Sequence, residues 1–196
     1  MSFALLILRA VVGALFIGHG AQKLFGAFDG HGLDATAQLF ESLGYRPGRR
    51  HALLAGATEL GGGSLLALGL LTPLAAAMVI GLMVNAIGAV HGPNGPWVTK
   101  GGYEYPLVLI VTMYVVATAG AGIASFDHIA GLGLSGALWG LIGLVVGLGT
   151  GAAVLSTRKP EPQEEVEPTP KELEARAGEG RASVPLTAEE PFELGR

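Results

Sequence analysis

The 196-residue chain contains no cysteine. Disulfides, iron–sulfur clusters, thiolate zinc sites and any thiol-based redox step within this chain are thereby excluded. Charge is scarce as well, at 14% of residues against roughly 25% in soluble domains. The scarcity is uneven. Arg158–Arg196 holds 6 of the 12 Lys+Arg and 10 of the 16 Asp+Glu, so residues 1–157 are formally neutral and the remainder carries the whole net charge of −4. With no basic excess, nothing points to nucleic acid. A signal-peptide pattern is missing too. No basic segment precedes the first apolar run, Arg9 interrupts it, and no small-residue cleavage site follows, so the run is read as a retained first transmembrane helix.

What the chain does have is apolar residues and glycine. Half of it is apolar, its mean hydropathy is +0.51, and it holds 32 glycines, roughly twice the usual share. The glycines lie inside the apolar segments, where they favour close approach of membrane helices. The expected fold is all-α: a polytopic membrane helix bundle with a disordered C-terminal tail. Residues 3–25, FALLILRAVVGALFIGHGAQKLF, suffice to cross a bilayer, which takes about 20 apolar residues. Further helices are expected over 52–71, 74–91, 105–120 and 136–155.

Between the first two, Leu33, Ala37, Phe40 and Leu43 recur at helical spacing. They predict a short amphipathic helix over about 34–44, stopped by Gly44 and Pro47. Trp97, Tyr103 and Tyr105 read as an interfacial aromatic belt. The last helix carries Gly136, Gly140, Gly143, Gly147 and Gly151, a close-packing face for internal contact or for dimerisation. Residues 157–196 turn to Pro, Glu, Lys and Arg and lack the apolar content needed to offset chain entropy. Lys23, Arg46, Arg49, Arg50, Lys100, Arg158 and Lys159 fall on one side of a five-helix topology. The positive-inside rule makes that side cytoplasmic and the N-terminus external.

Ionisable groups inside spans are costly and usually face a bundle interior. At 1.5 Å per residue, His19, Glu59 and Asn85 lie at one level, about 10 Å from the cytoplasmic face. Lys23, His91 and Glu104 sit nearer that face, and Arg9 lies far above it, able to reach Glu59 only when extended, or to snorkel outward. The sharp reading is a site, with His19 as proton carrier or ligand, Glu59 as its carboxylate partner and Asn85 as orienting hydrogen-bonder. The bland reading is that these groups simply fix helix packing. His19 with His91 is a poor haem signature. His31, His51 and His128 read as solvated loop residues. Gly61-Gly62-Gly63 is no phosphate loop, since no Lys-Ser/Thr follows.

Several of these residues also form family-like motifs. Arg9, Gly13, Phe16, His19-Gly20 and Gln22-Lys23-Leu24-Phe25-Gly26 resemble the first-helix motif of the DoxX family of bacterial membrane proteins. Glu59-x-Gly61-Gly62 with Gly69 and Thr72 is similar to its second-helix pattern. His91, Trp97 and Gly101-Gly102-Tyr103-Glu104-Tyr105-Pro106 are similar to its third-to-fourth helix segment. Gly120, Gly122 and Ser125-Phe126-Asp127 resemble its usual ending. The resemblance spans about residues 5–128 and implies a four-helix membrane bundle, to which this chain adds a fifth helix and an acidic tail.

The resemblance also implies a multi-pass protein of the bacterial plasma membrane, associated with a quinone- or thiol-linked redox complex. It supplies no firm catalytic residue. Because the chain has no flavin, nicotinamide or metal motif, the catalytic partner is expected to be a separate soluble redox protein. A quinone is the amphiphile such a bundle would bind, near His19 and Glu59. Two other expectations stand beside this one. The chain could be a small transporter or proton-coupled permease that uses the same cluster, although it has no evident inverted repeat. It could also be a non-catalytic membrane scaffold that recruits partners through its tail.

Overall fold

The computed structural model describes residues 2–159. Most of the acidic tail expected from residue 157 onward therefore lies outside the described residues. Among the described residues the fold is all-α, with α1 (Ser2–Phe25), α2 (Gly32–Ser42), α3 (Gly48–Leu68), α4 (Thr72–Ala86), α5 (Glu104–Ala119), α6 (Phe126–Ile129) and α7 (Ala137–Ser156). Beyond Ala86 the fourth helix continues through a π turn at Ile87–His91 and a 3-10 turn at Gly92–Asn94. Pro93 has no N–H to give the preceding turn, which loosens the helix there.

Three segments, Phe3–Phe25, Thr72–Asn94 and Ala137–Ser156, are long and apolar enough to cross a membrane. By that composition α3 is not one of them, because Arg49, Arg50, His51 and Glu59 depress its hydropathy. Its packing nevertheless places it alongside a spanning helix. A Cβ on Gly13 of α1 would meet the Gly63 carbonyl at 2.6 Å, and one on Gly20 would meet the Gly56 carbonyl at 2.8 Å. The two helices thus run antiparallel and in backbone contact from Gly13 to Gly20 of α1. On another face of α3, a Cβ on Gly62 would lie 3.1 Å from Met78 Cβ of α4. The three consecutive glycines seat α3 between two neighbours.

The fourth helix is the centre. It packs against α3, α5 and α7. Ala75, Ala76, Val79 and Ile80 are fully buried, with Leu66 of α3 and Met113, Val116 and Ala117 of α5 around them. The glycine face of α7 is spent here, on internal packing. Cβ atoms on Gly147 and Gly151 would sit 2.6 Å from Ile80 Cβ and 2.7 Å from Val84 Cβ. The face is thereby covered within the chain.

Two departures from the sequence-based boundaries bear on the site. Helix α3 begins at Gly48, so His51 belongs to a helix and not to a loop. Residues 157–159 also fold back onto the bundle. Arg158 donates to the carbonyls of Leu43 (2.5 Å) and Gly88 (3.2 Å), and the Lys159 amide donates to Gly44 O at 2.8 Å.

The glycine interface yields a paired test. Gly147→Leu should markedly lower the melting temperature of the detergent-solubilised protein, since Ile80 and the Ala77 carbonyl fill the space beside that glycine. Gly149→Ala, where nothing lies within 4 Å, should be neutral or stabilising by up to about 1 kcal/mol through helix propensity. Equal loss in both would show that α7 does not pack through this face.

Candidate functional site

Seven residues were expected near one polar site, and the structure gathers three of them. Lys23, Glu59 and Asn85 line a common cavity of about 470 Å³. The pair formed is Lys23–Glu59, and not the expected His19–Glu59. Lys23 Nζ donates to both Glu59 oxygens, at 2.5 and 2.6 Å. Side-chain direction explains the difference. Helical side chains lean toward their own N-terminus, and α1 and α3 are antiparallel. Lys23 therefore reaches into the bundle, Glu59 reaches toward the α2 end, and they converge across an axial offset of about 7 Å.

Its position around the helix takes His19 away. It lies about 100° round α1 from Gly20, which faces α3. His19 is exposed and makes no hydrogen bond. Glu59, by contrast, is 8% exposed. A buried carboxylate in a span needs a charge partner, and Lys23 is the one within reach.

Asn85 does orient its surroundings. Its amide nitrogen donates to Gly81 O of its own helix and to Gly151 O of α7, both at 3.0 Å. Its oxygen accepts from the Tyr45 hydroxyl at 2.9 Å. Tyr45 is 2% exposed and is flanked by the rings of Phe40 and His51, at centroid distances of 5.5 and 5.1 Å. Burial raises the Tyr45 phenol above its ordinary pKa, against the opposing pull of the Arg158 charge, so it stays a neutral donor. His51 contacts Pro47 O (3.2 Å) and Thr157 Oγ1 (3.1 Å) through its two ring nitrogens, joining the start of α3 to the end of α7. Leu39 and Phe40 of α2 and Leu43 just after it line this end of the cavity. Helix α2 is held by Thr36 Oγ1, which donates to Lys23 O of α1 at 3.5 Å, by the Gly48 amide, which donates to Glu41, and by the exposed Asp34–Arg49 pair. The remaining lining, from α3, α4 and α7, is apolar apart from Thr58 and Thr150.

The other three candidates lie elsewhere. His91 donates through Nδ1 to Gly101 O at 2.7 Å and so folds the 92–103 loop onto the end of the fourth helix. Glu104 opens α5, where an acid complements the helix dipole, and does not line the cavity. Arg9 reaches neither Glu59 nor the outer surface. It is wholly buried at the opposite end of the bundle and donates to Ala124 O at 2.7 Å. Gly69 makes room for it, since a Cβ there would sit 1.6 Å from Arg9 Nη1.

Beside Arg9, Asp127 accepts from the Leu71 amide (2.7 Å), the Thr72 amide (3.0 Å) and Thr72 Oγ1 (2.7 Å). The first amides of a helix have no partner within it, and here a carboxylate from the short helix α6 supplies one for α4. Sequence reasoning read Asp127 as the polar point of a loop. Nothing local in the sequence joins it to Thr72, whereas the TP start of a helix does signal that donors need caps.

The fold and the cavity define a class: a multi-pass helical membrane protein with a charged pair and a hydrogen-bonded amide set into an otherwise apolar pocket. Residues 4–92 match the DoxX family, and over that stretch the chain is a DoxX-family membrane protein. The match takes in α1 to α4 and stops before α5 and α7. No curated protein and no solved structure matches the chain.

Two expectations follow. Lys23→Met leaves a buried carboxylate unpaired and should cost about 3 kcal/mol. The double variant Lys23→Met/Glu59→Leu should recover most of that, and a melting-temperature cycle in detergent measures both. Asp127→Ala strips three donors of their acceptor and should cost about 1–3 kcal/mol, read in the same assay. A wild-type melting temperature for Asp127→Ala would sink the capping account.

Proposed function

We propose that this protein is the membrane subunit of a redox system and holds a quinone-type amphiphile in the cavity between α3, α4 and α7. One observation carries the reading. An apolar pocket of about 470 Å³ contains a few convergent polar groups, namely Lys23, Glu59 and the Tyr45–Asn85 pair. That size and polarity fit a small amphiphile. A quinone ring is apolar on its faces and presents carbonyl oxygens that accept hydrogen bonds.

Lys23 would donate to such a carbonyl, and Glu59 would hold Lys23 in place or exchange a proton with the reduced form. Electrons would come from a separate soluble redox protein, since a chain without cysteine cannot carry a thiol couple. The basic residues Arg46, Arg49 and Arg50 at the α2 end support a cytoplasmic placement of that end in a bacterial plasma membrane, with the N-terminus outside.

Purification in mild detergent, followed by mass spectrometry of extracted lipophilic molecules and of co-purifying proteins, tests the reading. A stoichiometric quinone or a redox enzyme is expected. Glu59→Gln should lower the amount of bound quinone about tenfold, the effect of 1.4 kcal/mol. A well-folded protein that carries neither amphiphile nor partner, and that moves a solute across proteoliposomes in a Glu59-dependent way, would replace this reading with transport.

A further inference from the structure

The cavity has a direction. Its lining on the fourth helix runs from Leu74 to Val90, about 24 Å at 1.5 Å per residue. The polar groups cluster toward the α2 end, where Tyr45, Lys23, Glu59 and Asn85 sit. Toward the opposite end the walls are Leu74, Ala77, Met78 and Val146. The cavity is therefore a long slot with one polar end and one hydrocarbon end.

The slot opens sideways. Helices α3 and α7 both lean on α4 and leave the slot between them. The rim residues Leu54 of α3 and Val146 of α7 are 51% and 43% exposed. Val146 lies in the middle of a membrane-spanning segment, so what it is exposed to is lipid. At the α2 end the lining is Phe40, Leu43 and the buried Tyr45. At Val146 a path into the slot leads from the bilayer.

The charge at the polar end selects the head. Lys23 and Glu59 neutralise one another, and Arg158, whose charge reaches Tyr45, gives its donors to the Leu43 and Gly88 carbonyls and does not line the slot, so a head with net charge would find no ion partner of its own in a low-dielectric site. Asn85 has spent its amide hydrogens on Gly81 and Gly151 and its oxygen on Tyr45. An ammonium has three N–H groups, and Lys23 gives two bonds to Glu59, so one donor remains. Lone pairs on Glu59 and the Thr58 hydroxyl are available beside it.

The geometry points to a neutral, single-chain amphiphile that enters from the bilayer between α3 and α7, lies extended along the fourth helix and places a carbonyl or hydroxyl head at Lys23 and Glu59. This rests on the reading of the cavity as a binding site and adds ligand charge, chain number and direction to it. The wall that makes a slot of an open face is α7, which lies outside the family match. It contributes Val146, Thr150 and Val154, held in place by Gly147 and Gly151. Selectivity for one chain is therefore a property of this added helix.

The test uses the full chain in phosphatidylcholine nanodiscs and reads depth-dependent fluorescence quenching. The probes are monoacylglycerols brominated either near the head or near the chain end, with a brominated fatty acid and a brominated phosphatidylcholine as charged and two-chain comparisons. In a Trp97→Phe/Trp139→Phe background, reporter tryptophans are placed by Met78→Trp at the hydrocarbon end and Ala86→Trp at the polar end, with Val108→Trp on lipid-facing α5 as the bulk control. If Met78→Trp does not fold, Leu74→Trp at the rim replaces it.

The expected result is saturable quenching by monoacylglycerol in the two slot reporters and only proportional, non-saturating quenching in the control. Chain-end bromine should act several times more strongly at position 78, and head-proximal bromine at position 86. Saturation by the fatty acid or the two-chain lipid alone, or a reversed depth order, overturns the inference. If a quinone co-purifies while the slot reporters show no depth order, the inference fails and the reading of the site stands. If nothing co-purifies and no probe saturates, both fall.

Discussion

Hydrocarbon offers membrane helices no reward for hiding apolar side chains, because lipid tails are as apolar as leucine. Association must come from close contact and from polar bonds made out of reach of water. This constraint governs the chain. The α1–α3 pair meets backbone to backbone at Gly13, Gly20, Gly56 and Gly63, and α7 meets α4 at Gly147 and Gly151. Large side chains such as Phe3, Leu15, Val108 and Leu138 are left facing outward. Alanine and glycine set the close helix contacts around α4, a small set of large side chains such as Phe16, Leu66 and Met113 fills the core, and many other bulky residues form the coat.

The same constraint makes the polar bonds specific. A buried ion without a partner is so costly that each one dictates its neighbourhood. Glu59 fixes where Lys23 must reach. Asp127 fixes where α4 must start. Arg9 needs the space that Gly69 leaves and the carbonyl of Ala124. The two ends of the bundle are thereby tied differently. The α2 end is tied through a charged pair and an amide beside a cavity, and the opposite end through a carboxylate on helix amides beside the wholly buried Arg9.

Much of this was legible in the sequence. The apolar runs, the glycine spacing and the amphipathic stretch before Pro47 each correspond to a helix, and the DoxX-type motifs point to the family matched over 4–92. Depth along a helix axis put Glu59 and Asn85 at one level, and both line one cavity. Depth alone could not say which way a residue faces, and so it put His19 in the place that Lys23 fills. Side-chain reach mattered as much: a lysine two residues from the end of α1 extends into the bundle. Tyr45, His51 and Asp127 were illegible for another reason. Their roles come from chain segments 40 to 106 residues distant, and no local pattern encodes such a meeting.

The capping of α4 by Asp127 has a consequence for the order in which the protein is made. The amides of Leu71 and Thr72 emerge from the ribosome some 55 residues before the carboxylate that accepts them. Until then the turn between α3 and α4 stands at the membrane surface with its donors turned to water. The first two long helices can pair as soon as α3 exists, since their contact is local and needs nothing from later sequence. The centre of the bundle is different: its start is sealed by one later segment and its flank by another, α7. The helix that ends up deepest is among the last to be locked, and synthesis proceeds from a finished edge toward an unfinished middle.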